Sequence, residues 1–148
     1  MSQDRIPDEV VDSPAPWVAD HIREYTESGG EQGHEWRGVP TLLLTVRGRK
    51  SGVWRRTALI YGRDGDNYVI VASKGGDPKH PLWYLNLLDS PDVGVQVGPD
   101  KLTARARVAE GDERARLWDR MAQIWPDYNA YQTRTDREIP IVVLEPTK

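Results

Sequence analysis

Cysteine and phenylalanine are both missing from the 148 residues. Without cysteine there can be no disulfide, thiolate nucleophile or thiolate metal site, which agrees with a reducing, cytoplasmic home. No apolar run approaches the roughly 20 residues of a membrane helix, and the opening MSQDRIPDEVVDSPAP lacks the charged-then-apolar order of a signal peptide. Histidine is scarce: His21, His34 and His80 stand far apart, none with a partner at ligand spacing on one element, so no metal is expected. The absence of a Gly-x-Ser-x-Gly elbow speaks against a serine triad, and that of Gly-x-Gly-x-x-Gly against a nicotinamide-binding unit. GRKSG, residues 48 to 52, lacks the spacing of a Walker loop. By elimination, any chemistry belongs to a bound organic cofactor.

What is present is a chain of one-domain length, able to bury a sizeable core, with a formal net charge of -3. Against that acidic balance, RGRKSGVWRR (47 to 56) holds five cations and no carboxylate. The remainder is more acidic still, so nucleic acid is not expected as a partner. The target of the basic cluster should be as local as the cluster itself. The aromatic set, six Trp and six Tyr, pairs flat apolar bodies with hydrogen-bonding edges. Such rings suit either an ordinary core and its rim or a pocket for a flat, polar-edged ligand.

Along the chain, residues 1 to 15 read as a flexible arm and 16 to 148 as one domain. Ser13 is a candidate cap for a helix carrying Trp17, Val18, His21, Ile22 and Tyr25 at helical spacing, stopped by Gly29-Gly30. Strands are predicted at 41–46, 57–62 and 67–73, the last two joined by an Arg63-Asp64-Gly65-Asp66 turn. HPLWYLNLL (80 to 88) reads as a helix with Pro81 in its first turn, and strands follow at 92–98 and 101–109. A helix over 110–125, with Asp112 as its cap, presents Leu117, Met121 and Ile124 beside Trp118 and Trp125. Residues 127–138 carry no clear pattern and read as a mobile segment before a last strand at 139–145. Short, mostly antiparallel strands with flanking helices predict an α+β protein built as a small β-barrel.

The basic cluster falls between two strands, with Gly48 and Gly52 allowing the backbone to approach a ligand closely. Lys50 and its arginine neighbours would grip a phosphate or carboxylate there. The alternative is a solvated basic turn paired with the acidic remainder. A second small, cationic turn, ASKGGDPKHP (72 to 81), follows the third strand and leads into the helix carrying Trp83 and Asn86, a flat wall beside an amide. Two such turns could meet around one polyanionic ligand.

In this order, GRKSG followed by an arginine and a strand, then VASKGG, KHPLWYLNL and DSPDVGVQVG, the sequence resembles the deazaflavin-dependent nitroreductase family. The likeness spans about residues 36 to 145. It implies a split β-barrel of about six strands, related to flavin reductases and pyridoxamine-phosphate oxidases. It also implies coenzyme F-420, an 8-hydroxy-5-deazaflavin bearing a phosphate and an oligo-glutamate tail. Arg49, Lys50, Ser51 and Gly52 match the family's phosphate turn, and Arg55 or Arg56 the arginine after it. Ala72, Ser73, Lys74, Gly75 and Gly76 match the turn along the deazaflavin; Trp83 and Asn86 match the helix that closes over it, with His80 and Pro81 setting its start. Tyr128 and Tyr131 stand where the family places tyrosines that line the acceptor side and give a proton, and Ser73 could hydrogen-bond an acceptor oxygen.

The activity so implied is hydride transfer to small electron-poor acceptors such as quinones, activated alkenes or nitroaromatics. The rivals are an FMN-dependent oxidase of the same barrel type and a protein that carries the deazaflavin without turnover. Barrels of this type often pair, so a homodimer is an expectation. The face Trp17, Val18, Ile22 and Tyr25 is expected to pack on the core, with weak membrane association or a lid over the acceptor as alternatives, although the acidic bias of Asp20, Glu24 and Glu27 opposes anionic lipid.

Overall fold

The structure, a computed structural model, describes residues 10–12, 16–31, 34–36 and 38–147. The expected N-terminal arm up to residue 9, the Ser13 cap and the Trp17 side chain lie outside the described residues. Nine strands are described: β1 (Val11–Asp12), β2 (Glu35–Trp36), β3 (Val39–Arg47), β4 (Trp54–Ile60), β5 (Gly62–Asp64), β6 (Asn67–Val71), β7 (Asp92–Val97), β8 (Asp100–Val108) and β9 (Ile141–Pro146). With them run α1 (Pro16–Glu27), α2 (Leu82–Asp89), α3 (Gly111–Ile124) and α4 (Asp127–Thr133).

The strand order is β1-β4-β3-β7-β8-β9-β6-β5, with β2 hung on β3. β4 and β5 stand toward opposite ends of that order, yet only Tyr61 separates them in the chain. They are one strand bent at Tyr61, and the bend closes the sheet on itself, removing the edges that an open sheet would expose. Counted that way, the wall is β4/β5, β3, β7, β8, β9 and β6, the six antiparallel strands expected.

Period-two alternation sorts the side chains. Leu42, Leu44, Val46, Ile70, Val93, Val95, Ala104, Ala106, Val142 and Leu144 fill the interior, and α2 contributes Tyr84 and Leu87 to the same core. Each fully buried leucine or isoleucine here contributes about 2 kcal/mol by leaving water. The outer faces of β6 and β9 pack Val69, Val71, Ile141 and Val143 against Leu117 and Met121 of α3. On the other side, α1 lays Val18, Ile22 and Tyr25 on Leu43 of β3. The helix is therefore occupied by the barrel wall, and those residues are not displayed to a membrane or used as a lid. Among the described residues no helix is long and apolar enough to cross a membrane.

Two local expectations are corrected. The segment read as mobile forms α4, because Tyr128 and Tyr131 supply the apolar contacts that its polar sequence otherwise lacks. The α3 cap is Glu110 in extended backbone, with Gly111 at φ 59, not Asp112. Asp112 and Glu113 instead occupy the first turn, where the helix dipole favours carboxylates.

Candidate functional site

Strand direction decides which loops share an end of the barrel. β3 and β6 run the same way, being linked through β7, β8 and β9 by four successive antiparallel pairings. The β3–β4 turn (48–53), the β6–α2 turn (72–81) and the start of β7 consequently lie at one mouth.

The β3–β4 turn is tightly built. The Gly48 N–H donates to Val53 O at 2.8 Å, the Gly52 N–H to Gly48 O at 2.8 Å, and Ser51 Oγ accepts from the Val53 N–H at 3.1 Å. Gly52 sits at φ 73, which glycine adopts without strain. Arg49 is tied across to α2: Asn86 Oδ1 accepts from its backbone N–H at 3.1 Å and from Nη1 at 3.2 Å. Asn86, buried to 6% exposure, thus spends its carbonyl on the turn, not on a ligand.

Register separates the two candidate arginines. Arg55 pairs with Val46, a residue of the barrel interior, so its side chain belongs to the mouth. Arg56 pairs with Thr45 on the outer face, where its Nε donates to Asp12 Oδ1 of β1 at 2.7 Å. Of the two arginines, Arg55 shares the interior face with Val46 and Arg56 is tied to Asp12 on the outer face. Among the described residues Arg49, Lys50, Arg55, Lys74 and Lys79 make no ion pair with a carboxylate, whereas Arg105, Arg107, Arg114 and Arg116 all do. A chain of net negative charge has left the cations of one mouth unneutralised.

The second turn is held from behind. Ala72 is fully buried, Lys74 takes φ 47, and Lys74–Gly76 form a single 3-10 turn against α4. A side chain at Gly76 would begin 2.5 Å from Tyr131 O. A left-handed conformation at a residue with a side chain costs about 1 kcal/mol, and its presence marks a position set by its surroundings. Arg137, which no sequence pattern singles out, donates to the carbonyls of Ala72, Ser73 and Asp77 and approaches His80 Nδ1 at 3.2 Å. The His80 ring packs on Tyr84 of α2, centroids 4.8 Å apart. Burial, then the Arg137 charge, holds the His80 pKa below its ordinary value. Trp83, partly exposed, leans on the barrel core. Ser73 is partly exposed, and its hydroxyl has no partner among the described residues.

The two tyrosines of α4 part company. Tyr128 is 5% exposed in the cluster beneath α3, and burial pushes its phenol far above the ordinary value. It packs the core and is a poor proton donor. Tyr131 is partly exposed, its hydroxyl accepts from Trp125 Nε1 at 3.3 Å, and Arg134 lies over its ring. Its own proton is left to give. No group of residues able to hold a metal occurs among those described.

The unneutralised mouth, the small cationic turns and the flat Trp83 fit a ligand with an anionic tail and an aromatic head, which is the chemistry of a deazaflavin coenzyme. Comparison with known proteins agrees. Residues 17–146 match the family described as F420H(2)-dependent quinone reductase. A Mycobacterium tuberculosis protein named F420H(2)-dependent quinone reductase is 46% identical over 132 residues, 84% of this chain and 86% of that protein. A solved F420-H2 dependent reductase, FDR-A, is 45% identical with a TM-score of 0.67, covering 72% of this chain and 94% of its own. Another solved chain, described as a domain-swapped dimer, is 41% identical with a TM-score of 0.70 over 90% of this chain and all of its own. A pyridoxamine 5'-phosphate oxidase-like structure from Listeria innocua, at 14% identity and TM-score 0.52 over 73% of this chain and 84% of its own, shares the fold alone.

Proposed function

This chain belongs to the F420H(2)-dependent quinone reductase family, and we propose that its two cationic turns hold the coenzyme's phosphate and acidic tail at the barrel mouth. When bound, the reduced deazaflavin supplies the hydride that a quinone accepts. The protein's part is to bind, orient and donate protons. Lys50, Arg49, Arg55 and Lys74 meet the anionic groups, and Asn86 holds Arg49 in position to do so. Gly52 lets the backbone come close, Gly76 seats the second turn on α4, and Trp83 offers a flat wall beside the ring. As a quinone gains electrons its oxygens gain negative charge, and the Ser73 hydroxyl and the Tyr131 phenol are the donors available to stabilise it. Activated alkenes and nitroaromatics develop charge in the same sense and fall within the same chemistry.

The observation that carries this reading is the mouth of unpaired cations in a chain of net charge -3. FMN would also use a phosphate site, but it would leave the protein yellow as purified. A homodimer belongs to the same reading, supported by the related chain described as a domain-swapped dimer; light scattering on the purified protein tests it. For the coenzyme, titration should quench or shift the fluorescence of the oxidised form, and the reduced form should be consumed on adding a quinone. Binding without consumption would indicate a carrier. The absence of both responses would overturn the proposal.

A further inference from the structure

Arg137 is a cation beside the candidate anion site, yet its geometry assigns it to something other than anion binding. Its Nε donates to Asp77 O at 2.8 Å, Nη1 to Ala72 O at 3.2 Å and Nη2 to Ser73 O at 2.7 Å. Nη1 also lies 3.2 Å from His80 Nδ1. Every one of these partners falls within 72–80, while Arg137 itself arrives from the stretch between α4 and β9. Four of the five guanidinium N–H donors are spent on this turn, and three carbonyl dipoles lie against its charge.

A guanidinium has donors only and stays protonated. For Arg137 Nη1 to meet His80 Nδ1 in a hydrogen bond, Nδ1 must present its lone pair. The ring is then neutral and its proton sits on Nε2, which has no partner among the described residues. The groups that meet this ring are Arg137 from the segment before β9 and Tyr84 from α2; the charged residues nearest to it on its own turn are Asp77 and Lys79. Tyr84 is held neutral, its phenol raised by burial. The Asp77 carboxylate is occupied by the Lys79 N–H at 2.8 Å. Burial and the Arg137 charge both oppose protonation of His80.

We propose that Arg137 is a positioning residue: it fixes the Ala72–Asp77 backbone and makes His80 an Nε2–H donor toward a hydrogen-bond acceptor on the bound coenzyme. The role toward the coenzyme rests on the function proposed above, whereas the tautomer and the carbonyl clamp do not.

The decisive measurement needs no ligand. Long-range nitrogen–proton NMR on the uniformly labelled protein, with the three histidines assigned by loss of signal in H21N, H34N and H80N, reads the His80 tautomer directly. A pyrrole-type Nε2 and pyridine-type Nδ1 are expected; protonated Nδ1 overturns the proposal whatever the variants do. In Arg137→Gln the His80 pKa should rise toward the ordinary histidine value, and an unchanged titration in a folded variant overturns it. Arg137→Lys keeps the charge and loses the fork, so coenzyme affinity should fall roughly tenfold. In Arg137→Gln, which removes the charge, the salt dependence of coenzyme affinity should stay as in the wild type; a shallower salt dependence would make Arg137 an anion ligand and overturn the positioning role. If the wild-type protein fails to bind coenzyme while His80 shows the expected tautomer, the function falls and the clamp stands.

Discussion

Asn86 holds Arg49 by one side-chain oxygen, which accepts both the backbone N–H at 3.1 Å and Nη1 at 3.2 Å, and so welds α2 to the basic turn. The pair explains why an amide is needed at a buried position on a helix that otherwise packs apolar residues into the barrel. Asn86→Ala should lower coenzyme affinity about tenfold and cost about 1–3 kcal/mol of stability, because two hydrogen bonds go and a buried site is left open. Asn86→Asp should separate the two effects: the carboxylate still grips Arg49, so stability holds, while the added negative charge repels the coenzyme. Fluorescence titration beside urea unfolding distinguishes them, and equal losses in both variants would contradict a purely positional role for Asn86.

Arg55 and Arg56 should give opposite phenotypes. Arg55→Ala removes an unpaired cation from the mouth, so it should weaken coenzyme binding by about 1–2 kcal/mol, less at high salt, with the melting temperature unchanged. Arg56→Ala breaks the Asp12 pair, whose side chains are 25% and 33% exposed. It should cost up to about 1 kcal/mol of stability and leave affinity alone. Titrating both variants at two ionic strengths checks the assignment, and a loss of affinity confined to Arg56→Ala would reverse it.

The contrast shows what a sequence can and cannot carry. Strands and turns were legible because period-two alternation and glycine placement are local, and GRKSG and ASKGG announced themselves by charge. Which of two adjacent arginines faces inward depends on pairing with β3, which places Arg55 opposite Val46. Arg137 left no signal because its partners are mainly backbone carbonyls, which any sequence supplies. The same holds for α4, seven residues whose stability comes from Tyr128, Tyr131 and the turn against them and not from an apolar stripe. Tyr61 reads in the sequence as the next-to-last residue of a strand over 57–62, and only barrel closure makes it a bend between two.

Gly76→Ala tests the wedge between the second turn and α4. The added methyl would lie 2.5 Å from Tyr131 O, a backbone atom that cannot swing away, at a φ of 84 that alanine tolerates poorly. A destabilisation of about 2–3 kcal/mol is expected, together with weaker coenzyme binding as Lys74 is displaced. Gly65→Ala, at φ 61 with open space around it, is the control: it should cost about 1 kcal/mol and leave binding intact. Chemical unfolding and coenzyme titration on the pair give the answer, and equal effects would show that the close approach at Gly76 is unimportant.

The two tyrosines of α4 differ in exposure, and the proposed proton donation falls to Tyr131. Tyr131→Phe removes the partly exposed phenol that Trp125 orients, so quinone turnover should fall about ten- to hundredfold with coenzyme affinity unchanged. Tyr128→Phe removes a hydroxyl that has no partner among the described residues, and at neutral pH it should change neither turnover nor stability by more than about 0.5 kcal/mol. Its effect should appear in alkali. Burial raises the Tyr128 phenol above its ordinary value of 10.0. Below that pH the phenol is neutral in both folded and unfolded chains and contributes nothing to the pH dependence. Above it the unfolded chain releases the proton while the folded chain keeps it, so stability falls as pH rises, by about 1.4 kcal/mol per pH unit for this group alone. Urea unfolding between neutrality and pH 11.5 should therefore give a shallower alkaline decline for Tyr128→Phe than for wild type. Tyr25, Tyr61 and Tyr84, also raised by burial, keep a residual slope in both proteins. Superimposable alkaline profiles would mean that the Tyr128 phenol ionises in the folded protein as readily as in the unfolded chain.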